Sequence, residues 1–195
     1  RPDVHHIPEL RAALDELETM TGLKTEYNED GSKRKRAVGI PPKEAIHQLV
    51  QTVQGNYDKE VRGEQPLQVA LNRLFLGNPG TGKTTVAQLY GRILRLLNLL
   101  SNGSVVLKQP GDFITGHEGG TEQSTLAILK NATGKVLVID EAYVFNQSNY
   151  GKIAVDMIVS KVMGNPGEDI AVLMLGYEEP MLKMIRDQNP GLKRR

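Results

Sequence analysis

One stretch constrains this chain more than any other: Leu74-Phe75-Leu76-Gly77-Asn78-Pro79-Gly80-Thr81-Gly82-Lys83-Thr84-Thr85. An apolar run ends in a glycine-rich turn, and the turn opens directly into a helical pattern. The turn fits G-x-x-x-x-G-K-[ST], with Gly77, Gly82, Lys83 and Thr84 at the fixed positions. Its glycines let the backbone curl so that successive N–H groups face one anion, a geometry that side chains would obstruct. The helix that follows adds its positive end beneath the phosphates. Lys83 reaches the β- and γ-phosphates, and the Thr84 hydroxyl is placed to ligate Mg²⁺. The fold must therefore supply a strand, a phosphate-binding loop and a helix in that order, and the loop from Gly77 to Thr85 is a candidate nucleotide site.

The chain before this stretch reads as helices and a linker. Ile7, Leu10, Leu14, Leu17 and Met20 recur at spacings of three and four, which predicts an amphipathic helix over residues 7–20, ended by Gly22. Residues 24–40 lose periodicity and carry Lys33-Arg34-Lys35-Arg36, either a solvated charge run or an import signal. Pro41-Pro42 starts a second helix with Ile46, Leu49, Val50, Val53, Tyr57 and Val61 on its apolar face. We thus divide the chain into an N-terminal helix (1–23), a basic linker (24–40) and a nucleotide-binding module (41–195).

After the loop, strands and helices alternate. A helix is predicted over 84–100, closed by Asn102-Gly103, then a short strand at 105–107 and a polar loop over 111–122. Helices follow at 123–131, 153–163 and 180–188, with buried strands at 135–141 and 170–175. The strands are continuously apolar rather than alternating, which predicts a parallel sheet covered on both faces: an α/β layer sandwich. Ligands of such sheets bind at the carboxyl ends of the strands. Asp140-Glu141 ends one of these strands. An acid in that place holds Mg²⁺ directly or through water, and Glu141 beside it can activate the attacking water as general base. No N-K-x-D base-specificity motif occurs, which counts against a GTPase. No acceptor-binding or lid arginines follow the acidic strand, which counts against a monomeric P-loop kinase.

Composition removes other classes. There is no Cys, so disulfides, thiolate metal sites and Cys nucleophiles are excluded. The net charge of +1, with no basic stripe interleaved with aromatics, predicts neither nucleic-acid nor membrane partners. No apolar run is long enough for a membrane span and the start lacks a signal-peptide core, so a soluble cytoplasmic or nuclear protein is expected.

From about residue 7 to its end the chain resembles the AAA+ ATPases of the CbxX/CfqX type, the group that includes red-type Rubisco activase and stage V sporulation protein K. Within that group it looks most like the AAA domains found in tandem in large fungal proteins. The residues that carry the likeness are 77–85, Val138-Ile139-Asp140-Glu141-Ala142-Tyr143, Leu175-Gly176-Tyr177 and Asn189-Pro190-Gly191-Leu192-Lys193-Arg194-Arg195. The first two are general to AAA+ proteins; Glu-Ala-Tyr, Gly-Tyr and the final Asn-Pro-Gly-x-x-x-Arg are more specific to the group. The resemblance implies the large subdomain of an ASCE/AAA+ P-loop NTPase, with three layers, a parallel central sheet and preceding helices, stopping before a fifth strand and a helical lid. It implies ATP and Mg²⁺ as ligands. It places Tyr177 at the sensor-1 position, where the alternative is plain packing at a strand end. It makes Arg194 and Arg195 the arginine-finger candidates, acting in trans and not separable from one another.

The same resemblance implies a ring-forming homo-oligomer, commonly a hexamer, or tandem AAA modules that remodel a protein partner. An ATP-dependent scaffold with little turnover is the alternative. The loop after the second strand corresponds to pore loop 1, where threading members offer an aromatic. Here His117 falls at that position and Phe113 lies early enough to be core, a departure that weakens the threading expectation.

Overall fold

The computed structural model describes residues 2–20, 42–76, 82–117, 119–162 and 169–188. The expected linker, the loop residues Gly77 to Thr81 and the finger candidates Arg194 and Arg195 lie outside the described residues. By its contacts the chain divides into two compact units, Arg1–Val69 with Leu96–Asn98, and Ala70–Arg95 with Leu99–Arg195.

The first unit holds a 3₁₀ turn (Val4–His6) and helices α1 (Pro8–Thr19) and α2 (Pro42–Val61), each helix opened by a proline that needs no N–H there. Leu10, Ala13 and Leu17 form the buried stripe of α1. In α2, Ile46, Leu49, Val50 and Val53 are buried as expected, but Val61 in the last turn is 70% exposed. Asn56 is buried in this helix although it is polar. Its amide donates to the Leu67 carbonyl (2.8 Å) and its oxygen accepts the Leu67 N–H (2.7 Å), so burial costs it no hydrogen bond. Helix α2, assigned to the nucleotide-binding module from sequence, groups here with α1. Lys43 Nζ donates to the Glu18 carbonyl (2.7 Å), and His47 Nε2 pairs with Glu18 Oε1 (2.8 Å).

The second unit contains β1 (Arg73–Leu76), α3 (Lys83–Leu96), β2 (Val105–Lys108), α4 (Pro110–Phe113), α5 (Gly120–Asn131) and β3 (Val136–Ile139). A 3₁₀ turn (Ala142–Gln147), α6 (Asn149–Val162), β4 (Ala171–Gly176) and α7 (Glu178–Asp187) complete it. The four strands form a wholly parallel sheet in the order β1-β4-β3-β2. β3 and β4 are flanked on both sides and buried throughout, which accounts for their unbroken apolar runs. One face of the sheet, carrying Leu137, Ile139, Val172 and Met174, packs with residues of α4 to α7 in a single core. Phe113 and Phe145 meet there edge to face, centroids 5.3 Å apart. Alternation turns Val136 to the other face, where it lies against Gly91 of α3: a Cβ on Gly91 would come to 3.0 Å from Val136 Cγ2 and would collide with the Gly103 carbonyl. Helices thus cover both faces.

Several boundaries differ from those read in the sequence. Helix α3 stops at Leu96 rather than near 100, because Asn98 turns left-handed (φ 55°) and the Leu99 N–H returns to the Leu94 carbonyl (2.9 Å). Asn is among the few residues that adopt this conformation readily. The polar loop expected over 111–122 is interrupted, since α4 occupies its start and α5 begins at Gly120. Helix α6 begins at Asn149, four residues earlier than its apolar pattern suggests, with Ser148 Oγ accepting the Gly151 N–H (3.0 Å).

The amino ends of the strands are tied by side chains. Asp169 accepts from the Ser101 N–H (2.9 Å) and the Ser101 hydroxyl (2.6 Å), and the Asn72 side chain accepts the Val172 N–H (2.8 Å).

Candidate functional site

Three neighbouring strands end together. Leu76 lies opposite Gly176, and Ile139 lies opposite Met174. The ends of β1, β4 and β3, the last two followed by Tyr177 and by Asp140-Glu141, therefore lie side by side at the carboxyl edge. This is the edge where open parallel sheets bind ligands.

Helix α3 starts from Gly82, whose φ of +74° is one that residues with a Cβ rarely adopt. The Val86 N–H donates to the Gly82 carbonyl (3.0 Å), making this glycine the helix cap. The next backbone N–H groups, from Lys83 onward, then have no partner within the helix. Thr84 and Thr85 are exposed in this first turn.

Asp140 continues the sheet, its N–H donating to the Lys108 carbonyl (2.9 Å), and its side chain is half-buried. Glu141 is held in a left-handed conformation (φ 50°, ψ 38°), which costs a residue with a Cβ about 1–2 kcal/mol. Two hydrogen bonds keep it there: its N–H donates to Asp140 Oδ1 (2.9 Å), and its carbonyl accepts the Val144 N–H (2.9 Å). The Glu141 carboxylate is exposed, and Oε1 accepts the Tyr143 hydroxyl (3.2 Å). Desolvation first, and the adjoining Glu141 carboxylate next, hold the Tyr143 phenol above its ordinary pKa.

Tyr177 caps the start of α7, and its ring tilts against that of Tyr143 with centroids 5.7 Å apart. Gly176 makes room for this pair, since a Cβ there would lie 2.9 Å from Tyr143 Cδ1 and 2.7 Å from Met181 Cγ. Tyr143 lies in the motif that follows β3, and the sequence alone gives it no role. The signal was its place two residues after Glu141 in a tight turn, close enough for its hydroxyl to reach back.

No cluster of three His, Asp or Glu side chains among the described residues could hold a metal ion alone. Thr84 at the start of α3 and Asp140 just after β3 carry a hydroxyl and a carboxylate. These hard oxygens suit Mg²⁺, which takes one or two protein ligands and completes its shell with phosphate and water. His117 is exposed, between α4 and α5, in a loop closed by the Thr115 N–H donating to Thr121 Oγ1 (3.1 Å). Phe113 is fully buried, as expected of core. No helix among the described residues is long and apolar enough to cross a membrane.

Residues 73–181 match the family described as "ATPase family associated with various cellular activities (AAA)". Stage V sporulation protein K of Bacillus subtilis is 33% identical over 193 residues, covering 96% of this chain and 58% of that protein. The protein CfxQ homolog of Trieres chinensis is 32% identical, covering 93% of this chain and 66% of its own length. The chromosomal protein CbxX of Cupriavidus necator is 34% identical, covering 83% and 52% respectively. The chain therefore spans between about half and two thirds of these relatives.

Proposed function

The chain belongs to the AAA ATPase family, and from that premise we propose that it binds ATP with Mg²⁺ and hydrolyses it, driving the remodelling of a protein partner by the whole protein. The observation that carries this reading is the shared edge: the phosphate-loop strand and the Asp140-Glu141 strand flank β4 and end beside it. Gly77, Asn78, Pro79, Gly80, Thr81 and Gly82 form the cradle, and Lys83, Thr84 and Thr85 continue it into α3. Lys83 neutralises the β- and γ-phosphates, and Thr84 and Asp140 hold Mg²⁺. When bound, that ion offsets the charge that develops on the phosphoryl oxygens. Glu141 orients the attacking water and takes its proton. Tyr177 senses the γ-phosphate end of the site. Arg194 or Arg195 reaches a neighbouring subunit's ATP, where a permanently charged planar fork suits the transferring phosphoryl group. The site is then completed between subunits of a ring or between tandem modules.

The exposed His117 in the pore-loop position favours a second reading, an oligomer assembled by ATP with little turnover. Light scattering on the full-length protein, with ATP and with a non-hydrolysable analogue, separates the two when read beside phosphate release. The motor reading expects a nucleotide-dependent oligomer and sustained turnover. An oligomer without turnover favours the scaffold, and a monomer under all conditions contradicts both.

A further inference from the structure

We propose that Tyr143 is a positioning residue for Glu141: its hydroxyl fixes the carboxylate that activates water, and the Gly176–Tyr177 step fixes the Tyr143 ring. This deepens the hydrolytic reading above and rests on it.

Four observations meet here. The Glu141 backbone is locked in a left-handed turn by bonds to Asp140 and Val144, so its side chain starts from a fixed point. That side chain is exposed and has several rotatable bonds; the Tyr143 hydroxyl at 3.2 Å restrains its far end. The phenol is seated by its own ring, which lies against Tyr177 at 5.7 Å. Finally, the missing Cβ at Gly176 leaves the space that the Tyr143 ring edge occupies. A general base works only when its oxygen stays within hydrogen-bond reach of the water it deprotonates. An exposed carboxylate without a restraint spends much of its time elsewhere, and the conformational freedom lost on fixing it must be recovered at each turnover. The phenol removes that freedom in advance. Because the ring leans on the residue that follows β4, the placement of Glu141 follows the tip of β4.

The test uses Tyr143→Phe in the full-length protein, a change that keeps the ring and removes the hydroxyl. We expect kcat for ATP to fall about tenfold, while KM, nucleotide affinity and melting temperature stay unchanged. A readout independent of turnover comes from ¹³C-labelled tyrosine rings. The resonance lost in Tyr143→Phe identifies Tyr143 and should move in Glu141→Gln, while Tyr90, whose hydroxyl bonds the Leu71 carbonyl, stays in place. An unchanged or raised kcat overturns the proposal, as does a fall in affinity that matches the fall in rate. A Tyr143 resonance indifferent to Glu141→Gln overturns it too. If the wild-type protein shows no turnover, the hydrolytic reading fails and takes this inference with it. Turnover that is lost in Glu141→Gln but intact in Tyr143→Phe removes only the inference.

Discussion

The two ends of the parallel sheet use similar side chains for different purposes. At the amino ends, Asp169 accepts two hydrogen bonds from Ser101, Asn72 holds the Val172 N–H, and Gly91 and Gly103 bring two backbones into contact. Every polar group named there bonds to another part of the same fold. At the carboxyl ends, Glu141 keeps its carboxylate exposed with a single phenol against it, and Thr84 and Thr85 are exposed at a helix start. The Glu141 backbone there is also held in a left-handed conformation that costs a residue with a Cβ energy. An acid that satisfies its neighbours is structural, whereas an acid presented outward on a strained turn is available for chemistry.

If this contrast is right, substitutions at the two ends should separate stability from function. Lys83→Ala should lower nucleotide affinity by about 10- to 100-fold, the loss of a hydrogen bond to a charged group, and leave the ligand-free melting temperature unchanged. Isothermal titration and calorimetry read the two quantities; a lowered ligand-free melting temperature would break the contrast from the functional side. Gly91→Ala acts at the other end. Forcing a methyl group against the Gly103 carbonyl should cost about 1–3 kcal/mol in denaturant unfolding, with nucleotide affinity of the folded protein retained. Asp169→Ala should cost about 1 kcal/mol, and Ser101→Ala should add little on top of it, because the hydroxyl bond it removes is already lost with the Asp169 carboxylate.

The smallest effect lies in the N-terminal unit. The hydrogen bond from His47, ahead of the charge on Lys43, holds the Glu18 pKa below its ordinary 4.5. A lowered carboxylate pKa means that the folded state binds the proton less readily than the unfolded one. The stabilisation is therefore complete above pH 4.5 and lost as pH falls through the folded value. Acid titration of melting temperature should show a slightly shallower loss in His47→Ala, and identical curves would assign this exposed contact no role.

Much of the second unit was legible because its signals were of one kind throughout. Val136 to Ile139 and Ala171 to Leu175 are short, β-branched or aliphatic and unbroken, and only strands buried on both faces need that. Asp140-Glu141 was legible as a strand end because the unbroken apolar run stops at Ile139. What stayed hidden depends on partners distant in sequence. Asn56 reads as a surface residue until Leu67 is seen to take both of its amide atoms. The end of α3 at Leu96, before the left-handed Asn98, was masked by the leucines that continue its pattern beyond the turn. The early start of α6 was hidden by Gly151, which weakens a helical pattern but is required where the Phe145 backbone passes too close for a Cβ. Tyr143 belongs to the motif after β3, yet only the turn geometry brings its hydroxyl back to Glu141.

The role proposed for the outward-facing acid at the carboxyl edge is to perform the chemistry. It is tested most directly by single-turnover hydrolysis of bound ATP in the full-length Glu141→Gln protein. ATP should stay bound at wild-type affinity while its cleavage slows by about 10²- to 10⁴-fold, the usual contribution of a positioned general base. Cleavage at the wild-type rate would contradict it.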